Sequence, residues 1–325
     1  MGWRQYLSRR AIESFITWFL IITFNFFLFR VMPVDPRSML IHEAMDPMVR
    51  QKVIERFGLD KPLIEQYFLY LRNLLKGDWG ISFSHFNEPV IKTIFGHRFR
   101  NTVILMGSSL AISIVIGIIV GVIAASKRES LMDRCSTVFF LVTYSMFIGW
   151  IGLIILYILG FKLDLIPLAG TITRGKHHAN FLDYAIDYLW HMIGPTLALA
   201  LSFVGSFYLI MRDTVLDVFT EDYMEAARAK GLSDRTILFK HAMRNAMLPM
   251  ITFIAMNMTY LISGATITET VFSWSGLGLL TYDSVLSADY PVIQGIFLLY
   301  ATVVVLSNFI ADVLYAFLDP RIRYG

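Results

Sequence analysis

Glu221–Pro249 reads EDYMEAARAKGLSDRTILFKHAMRNAMLP, and it lies between two apolar runs each about long enough to cross a bilayer. It is the one long charged segment in the second half of the chain. Glu221 and Asp222 sit where a helix would begin, at the positive end of its dipole. Tyr223 to Lys230 is good helix sequence, kept slim by Ala226, Ala227 and Ala229. Gly231 can take positive φ and end that helix. Ser233 can cap a second one, along which Ile237, Leu238, His241 and Met247 or Leu248 recur at near-helical spacing. Pro249 marks entry to the apolar run that follows. Two short helices meeting at a sharp turn, tied at both ends to membrane helices, would transmit a rigid-body push if a partner held them. An ordinary connecting loop fits the same pattern.

The composition supports a membrane class. Of 325 residues, 56% are hydrophobic and 16% charged, against about 25% charged in average soluble proteins. A net charge of +3, spread over several loops, does not suggest a nucleic-acid binder. The single cysteine, Cys135, excludes a disulfide framework within the chain and a cysteine-ligated cluster.

Six apolar runs stand out, at 11–32, 102–125, 135–161, 192–211, 247–267 and 291–317. Each approaches or exceeds the roughly 20 residues a helix needs to cross the hydrocarbon. The first follows Arg4, Arg9 and Arg10, but it is longer than a signal-peptide core and is followed by no small-x-small cleavage site. Pro33 and Pro36 stop it, so we expect a retained helix. The short loops carry their positive charge asymmetrically. Arg4, Arg9 and Arg10, then Lys127, Arg128 and Arg134, the six basic residues from Arg212 to Arg244, and Arg321 and Arg323 all fall on one side. Lys162, Arg174 and Lys176 fall on the other. The positive-inside rule then places both termini, and Glu221–Pro249, in the cytoplasm.

The predicted organisation is a cytoplasmic N-terminus and first span over 1–32, an extracytoplasmic segment over 33–100, and a five-helix core over 101–325 with a cytoplasmic loop at 212–246. In the outer segment Asp46 can cap a helix with Pro47 at its first position, ending near Phe57 and Gly58. Pro62 can start another, with Tyr67, Leu71, Leu74 and Leu75 as its apolar stripe up to Gly77. A passive linker is the alternative. Gly117 and Gly121 have the spacing of closely packed membrane helices. Asn25, Asn257, Asn308 and Asp312 are the notable polar residues in or near spans, Asp312 fitting a satisfied interfacial carboxylate or a pathway residue.

The sequence contains no G-x-x-x-x-G-K-[ST] and no H-E-x-x-H. His177, His178 and His191 have no accompanying ligand cluster, so no metal site is expected. Nor does any Ser/His/Asp constellation suggest catalysis. The expectation is a chain with no catalytic residue and no cofactor of its own.

Glu225-Ala226-Ala227 followed by Gly231 resembles the E-A-A-x-x-x-G coupling loop of ABC-transporter permeases. Arg228-Ala229-Lys230-Gly231-Leu232 and His241 through Pro249 look like the peptide/nickel branch, which includes dipeptide and oligopeptide importers. The resemblance extends over nearly the whole chain. It includes Gly58-Leu59-Asp60-Lys61-Pro62, Gly77-Asp78-Trp79-Gly80-Ile81-Ser82, Asn101-Thr102, Gly264-Ala265, Glu269 through Gly278, Asp289-Tyr290-Pro291, Asn308, Asp312 and Asp319-Pro320-Arg321-Ile322-Arg323. Many relatives carry a proline near Met146 that would kink the third span; this chain has none, which leaves the local path of that helix open. Trp79 and Ser275 are minor variants.

The resemblance implies an all-α, polytopic membrane protein with six transmembrane helices and both termini cytoplasmic, built on an ABC importer permease core in a prokaryotic cell membrane. It implies a second homologous permease, two cytoplasmic ATPase subunits that hold ATP and Mg²⁺, and an extracytoplasmic substrate-binding protein. ATPase coupling would fall to Glu225, Ala226, Ala227, Gly231, Leu232, His241 and Pro249. Contact with the binding protein would fall to Trp79, Glu269, Trp274, Gly276 and Gly278. Membrane lipid is the other expected partner, and nucleic acid is not. Di- and oligopeptides are the default cargo of the branch, with oligosaccharides and nickel chelates as alternatives. An ion-driven secondary transporter would instead show charges in mid-span and inverted repeats, neither of which is evident.

Overall fold

The computed structural model describes residues 3–31, 61–85, 88–258, 261 and 265–318. The proposed Asp46–Phe57 helix, the Pro33–Pro36 stop, Gly264 and the Asp319–Arg323 ending lie outside them. Among the described residues the fold is helical, with one isolated bridge between Ile81 and Pro89. Among the described residues, four helical segments are long and apolar enough to cross a membrane: Gln5–Arg30, Val90–Ser126, Phe181–Phe219 and Tyr290–Ile310. A bent pair makes a fifth if it counts as one span.

The chain divides into two units, one formed by 1–100 with 276–325 and the other by 101–275. In the first, α1 (Trp3–Val31) packs along α12 (Tyr290–Leu318). Three polar ties pin the pair. Trp18 Nε1 donates to Thr302 Oγ1 at 2.9 Å, Asn25 Nδ2 donates to the Gln294 carbonyl at 3.1 Å, and Arg10 lies 3.5 Å from Asp312. Asp312 is therefore a paired carboxylate near the helix end. α2 (Leu63–Leu75) packs on α1 through aromatic rings, Phe26 lying 5.3 Å from both Tyr67 and Tyr70. Tyr67 thus serves the expected stripe, whereas Leu75 is 87% exposed. Gly77, at φ +75°, ends that stretch. α3 (Val90–Phe95) rests on α12, where a Cβ at Gly295 would come within 2.6 Å of Val90 Cγ1. α11 (Leu277–Leu286) adds Leu277 and Leu280 to this core.

The second unit is built on α7 (Phe181–Phe219), which carries Pro195 inside it. α4 (His97–Ser126) enters this unit from Asn101 onward and meets α7 at the glycines picked out by spacing. A Cβ at Gly117 would lie 2.5 Å from Phe207 Cβ, and one at Gly121 would lie 2.9 Å from the Tyr208 carbonyl. These glycines serve close helix approach. α5 (Leu131–Ser145) makes the same kind of contact at Gly205, where a Cβ would fall 2.5 Å from the Phe140 carbonyl. Gly205→Ala should therefore destabilise the purified protein by about 1–3 kcal/mol through overpacking. Gly107→Ala, whose new methyl group would meet, among the described residues, only Leu261 at 3.9 Å, should leave thermal unfolding unchanged.

The run at 135–161 was expected to be one span; it is broken. α5 ends at Ser145, α6 (Ile148–Ile155) continues through a wide turn, Leu156–Lys162, and the two halves meet at 105°. Met146 and Phe147 are both extended, with ψ of 140° and 127°. A 15-residue helix rises only about 22 Å, so α5 is too short to cross the hydrocarbon unaided. The bend arises here without a proline. Ser145 Oγ donates to the Leu141 carbonyl at 2.8 Å, supplying a donor to that carbonyl in the final turn. Phe272, 2% exposed, then fits the hollow left by Gly194 on α7 and Gly152 on α6.

In the run at 247–267, α9 (Met243–Asn257) ends at Asn257 and α10 (Thr266–Val271) begins at Thr266. Asn257 Nδ2 donates within its own helix, to Phe253.

Candidate functional site

The segment from the end of α7 to α9 forms a continuous, partly buried element inside the second unit. α7 stops at Phe219, and α8 (Asp222–Ala229) follows after two residues. Its faces are divided sharply. Met224 is fully buried and Ala227 is 7% exposed, and they pack with Ile237, Ala242, Val218 and Phe219. Glu225, Ala226, Arg228 and Ala229 face outward. Positions i and i+3 share a helix face, so Met224 and Ala227 form a short apolar keel beneath an exposed ridge.

Gly231 has φ +72°, and its N–H reaches the Arg228 carbonyl at 2.9 Å. A Cβ there would meet nothing within 4 Å, so the need for glycine is conformational and not steric. Leu232 and Ser233 are exposed after the turn. Ser233 Oγ receives the Thr236 N–H at 3.4 Å, the expected cap. The chain then forms a single turn (Asp234–Thr236) and a wide π-type turn (Ile237–Ala242) before entering α9. Such wide turns are often found at functional sites. Asn245 Nδ2 donates to Tyr223 Oη at 2.6 Å, bracing α9 against α8. His241 is half-buried. Pro249 lies within α9, six residues after its start, where it removes one backbone donor from the helix interior.

Behind this element the packing is continuous. Ala246 and Met250 of α9 are fully buried against Phe207, Met211 and Val215 of α7 and Val122 and Ala125 of α4. Displacement of α8 would therefore reach α9, α7 and α4 through close-packed side chains. Next to Met211 on α7, Arg212 forks onto Asp133 of α5, Nε to Oδ1 at 2.6 Å and Nη2 to Oδ2 at 3.0 Å. Asp133 is 3% exposed and also accepts the Glu129 N–H at 3.0 Å. Sequence reading missed this pair, because its partners are 79 positions apart and nothing local signals a bidentate ion pair.

The residues expected to contact the binding protein separate by unit. In the second, Glu269 is fully buried and its carboxylate accepts Thr102 Oγ1 at 2.8 Å. Trp274, also fully buried, directs Nε1 to the Asn101 carbonyl at 3.3 Å, while Asn101 Nδ2 donates to the Ser275 carbonyl at 2.8 Å. Tyr188 Oη donates to Asn101 Oδ1 at 3.1 Å, closing a knot that sets the loop's shape from inside. In the first unit, Gly276 and Gly278 are buried at the start of α11, and half-buried Trp79 packs beside Gly295. There the fully buried Asp289 accepts Ser82 Oγ at 2.5 Å, the Ser84 N–H at 3.0 Å and Ser84 Oγ at 2.6 Å. The Asp289-Tyr290-Pro291 motif thus begins with an anchor for the 82–85 turn.

Among the described residues, no group of three or more His, Cys, Asp or Glu side chains is arranged to hold a metal ion. His178 Nε2 lies 3.0 Å from Asp187 Oδ2, and His191 Nδ1 lies 2.8 Å from the Asp187 carbonyl. Asp187 also accepts the Thr173 N–H and hydroxyl, so these histidines belong to a satisfied network around one buried carboxylate.

Long apolar helices and a second unit packed around α7 are the features of a polytopic membrane protein. Comparison with known proteins makes this specific. Residues 117–324 match the family described as binding-protein-dependent transport system inner membrane component, and residues 3–114 match the N-terminal model of such membrane components. The chain belongs to this family of ABC importer permeases. It is 34% identical to the oligopeptide transport system permease protein AppB of Bacillus subtilis over 98% of this chain and 99% of that one. It is likewise 34% identical to the dipeptide transport system permease protein DppB of Escherichia coli K12, with the same coverage. The glutathione transport system permease protein GsiC of Escherichia coli K12 is 33% identical, again over 98% of this chain and 99% of its own length.

Proposed function

We propose that this chain is one permease subunit of a binding-protein-dependent ABC importer for di- and oligopeptides. It crosses a prokaryotic cell membrane six times with both termini in the cytoplasm, and it supplies half of the translocation path beside a second homologous permease. α8 and the Gly231 turn lie against one of two ATPase subunits, which carry the ATP and Mg²⁺. ATP binding closes the ATPases, α8 moves with them, and α9, α7 and α4 follow, opening the cavity outward to accept substrate from the binding protein. The observation that carries this reading is the division of α8, exposed at Glu225 and Ala226 and keyed into the core at Met224 and Ala227. The relatives named for oligopeptides, dipeptides and glutathione support the cargo class.

Leu232 continues the exposed ridge, while His241 and Pro249 lie on the return path into the membrane. On the outer face, the exposed parts of 61–85 and 266–288 meet the binding protein. Glu269, Trp274, Gly276 and Gly278 act from within, holding those segments in shape.

Two measurements test the reading. The purified chain alone should hydrolyse no ATP, and turnover by the pure chain would contradict the division of labour. Mass spectrometry of ligands retained by the co-purified binding protein should detect short peptides. Oligosaccharides or nickel chelates there would overturn the cargo assignment and leave the permease assignment standing.

A further inference from the structure

A basic groove opens beside the coupling element, entirely within the second unit. It encloses about 710 Å³ between the turn after α4, the end of α7 and the two arms of the α8 element. Four cations line it, Lys127, Arg128, Arg228 and Arg235, and among the described residues no carboxylate does. Arg128 has an exposed neighbour in Glu129 at 3.5 Å, a surface pair that leaves most of its charge available. Arg228 lies over the Phe219 ring, 5.9 Å from its centroid, which holds that guanidinium beside the groove. The floor is apolar, formed by Leu216, Phe219 and Leu238. Phe239, 56% exposed, lies at the edge, and Leu131, 80% exposed, follows the adjoining turn.

A soluble anion would use the cations and leave the apolar floor wet. An acidic protein surface would likewise leave Phe239 and Leu131 exposed. A molecule with a phosphodiester at one end and hydrocarbon at the other satisfies both features. We propose that this groove binds the headgroup and upper acyl chains of an anionic phospholipid from the cytoplasmic leaflet, seating the lipid against the coupling element. Guanidinium groups suit phosphate oxygens geometrically, and juxtamembrane basic residues bind anionic lipid additively. Arg228 and Arg235 lie on the two arms of the Gly231 turn, so the bound headgroup bridges them and stiffens the element that transmits force. The inference rests on the cytoplasmic placement proposed above.

The test uses the complete complex with its ATPases, in nanodiscs of phosphatidylcholine alone or mixed with phosphatidylglycerol. Native mass spectrometry should show phosphatidylglycerol retained through delipidation by the wild type. In Lys127→Gln/Arg128→Gln, which leaves the coupling residues intact, retention should fall roughly 30-fold, about fivefold per cation. Water-soluble glycerophosphate should not displace the lipid. Equal retention by variant and wild type would overturn the proposal, as would displacement by glycerophosphate. Cross-links from position 128 to the ATPase, showing that protein fills the groove, would overturn it too. A complex that assembles and couples in phosphatidylcholine but retains no anionic lipid refutes this site alone. A complex that fails to couple in any bilayer refutes the permease reading.

Discussion

Gly231→Val should abolish peptide-stimulated ATP hydrolysis in the reconstituted complex while leaving membrane insertion and expression intact. The glycine has φ +72°, which costs an ordinary L-residue about 1–2 kcal/mol and a β-branched residue more. That is enough to shift the turn between α8 and Ser233 out of its conformation in a large share of molecules. The space around the glycine is open, so the effect is conformational and separable from packing. Gly231→Asn, which tolerates the left-handed region, should retain most coupling. If valine coupled as well as asparagine, the turn geometry would be irrelevant to force transmission.

Arg212→Ala should be the most destabilising single change in the second unit. It strands Asp133, 3% exposed, without the guanidinium that forks onto both its oxygens. Breaking a buried pair from one side typically costs about 3–5 kcal/mol. Arg212 is itself 20% exposed, and the Glu129 N–H still reaches the carboxylate, so a loss of about 3 kcal/mol is expected. The double variant Asp133→Asn/Arg212→Met removes both charges and should recover much of that loss. Thermal unfolding of the two variants and the wild type reads both losses. A double variant no more stable than Arg212→Ala would show that the pair acts through something other than charge.

The long helices were legible because a span announces itself in composition: α1, α4, α7 and α12 each contain one of the expected runs. Gly231 was legible because a glycine between two helical patterns has few other uses. Gly117 and Gly121 were legible as a packing pair, although their partner, α7, was not. The break at Met146–Phe147 was not foreseeable from local signals, since the apolar run continues through it without proline or glycine at the bend. Tertiary packing decides it, with Phe272 held between α6 and α7. The same limit hid the cradle around Asp289 and the burial of Glu269. Each accepts hydrogen bonds from residues more than 150 positions away, Ser82 and Ser84 in one case and Thr102 in the other. A charged residue in an outer loop reads as exposed until its distant partners are placed. Glu269 and Trp274 are both fully buried and hydrogen-bonded to residues near the start of α4.

The account's central claim is that the exposed ridge of α8 is held by a separate ATPase. A single-cysteine cross-linking experiment tests it most directly. In a background with the exposed Cys135 replaced by serine, Ala226→Cys should cross-link to the ATPase in the assembled, peptide-transporting complex. Ala227→Cys, one residue along and 7% exposed, should not. A complex that transports peptide yet shows no cross-link at 226, or cross-links equally at both positions, would contradict the claim.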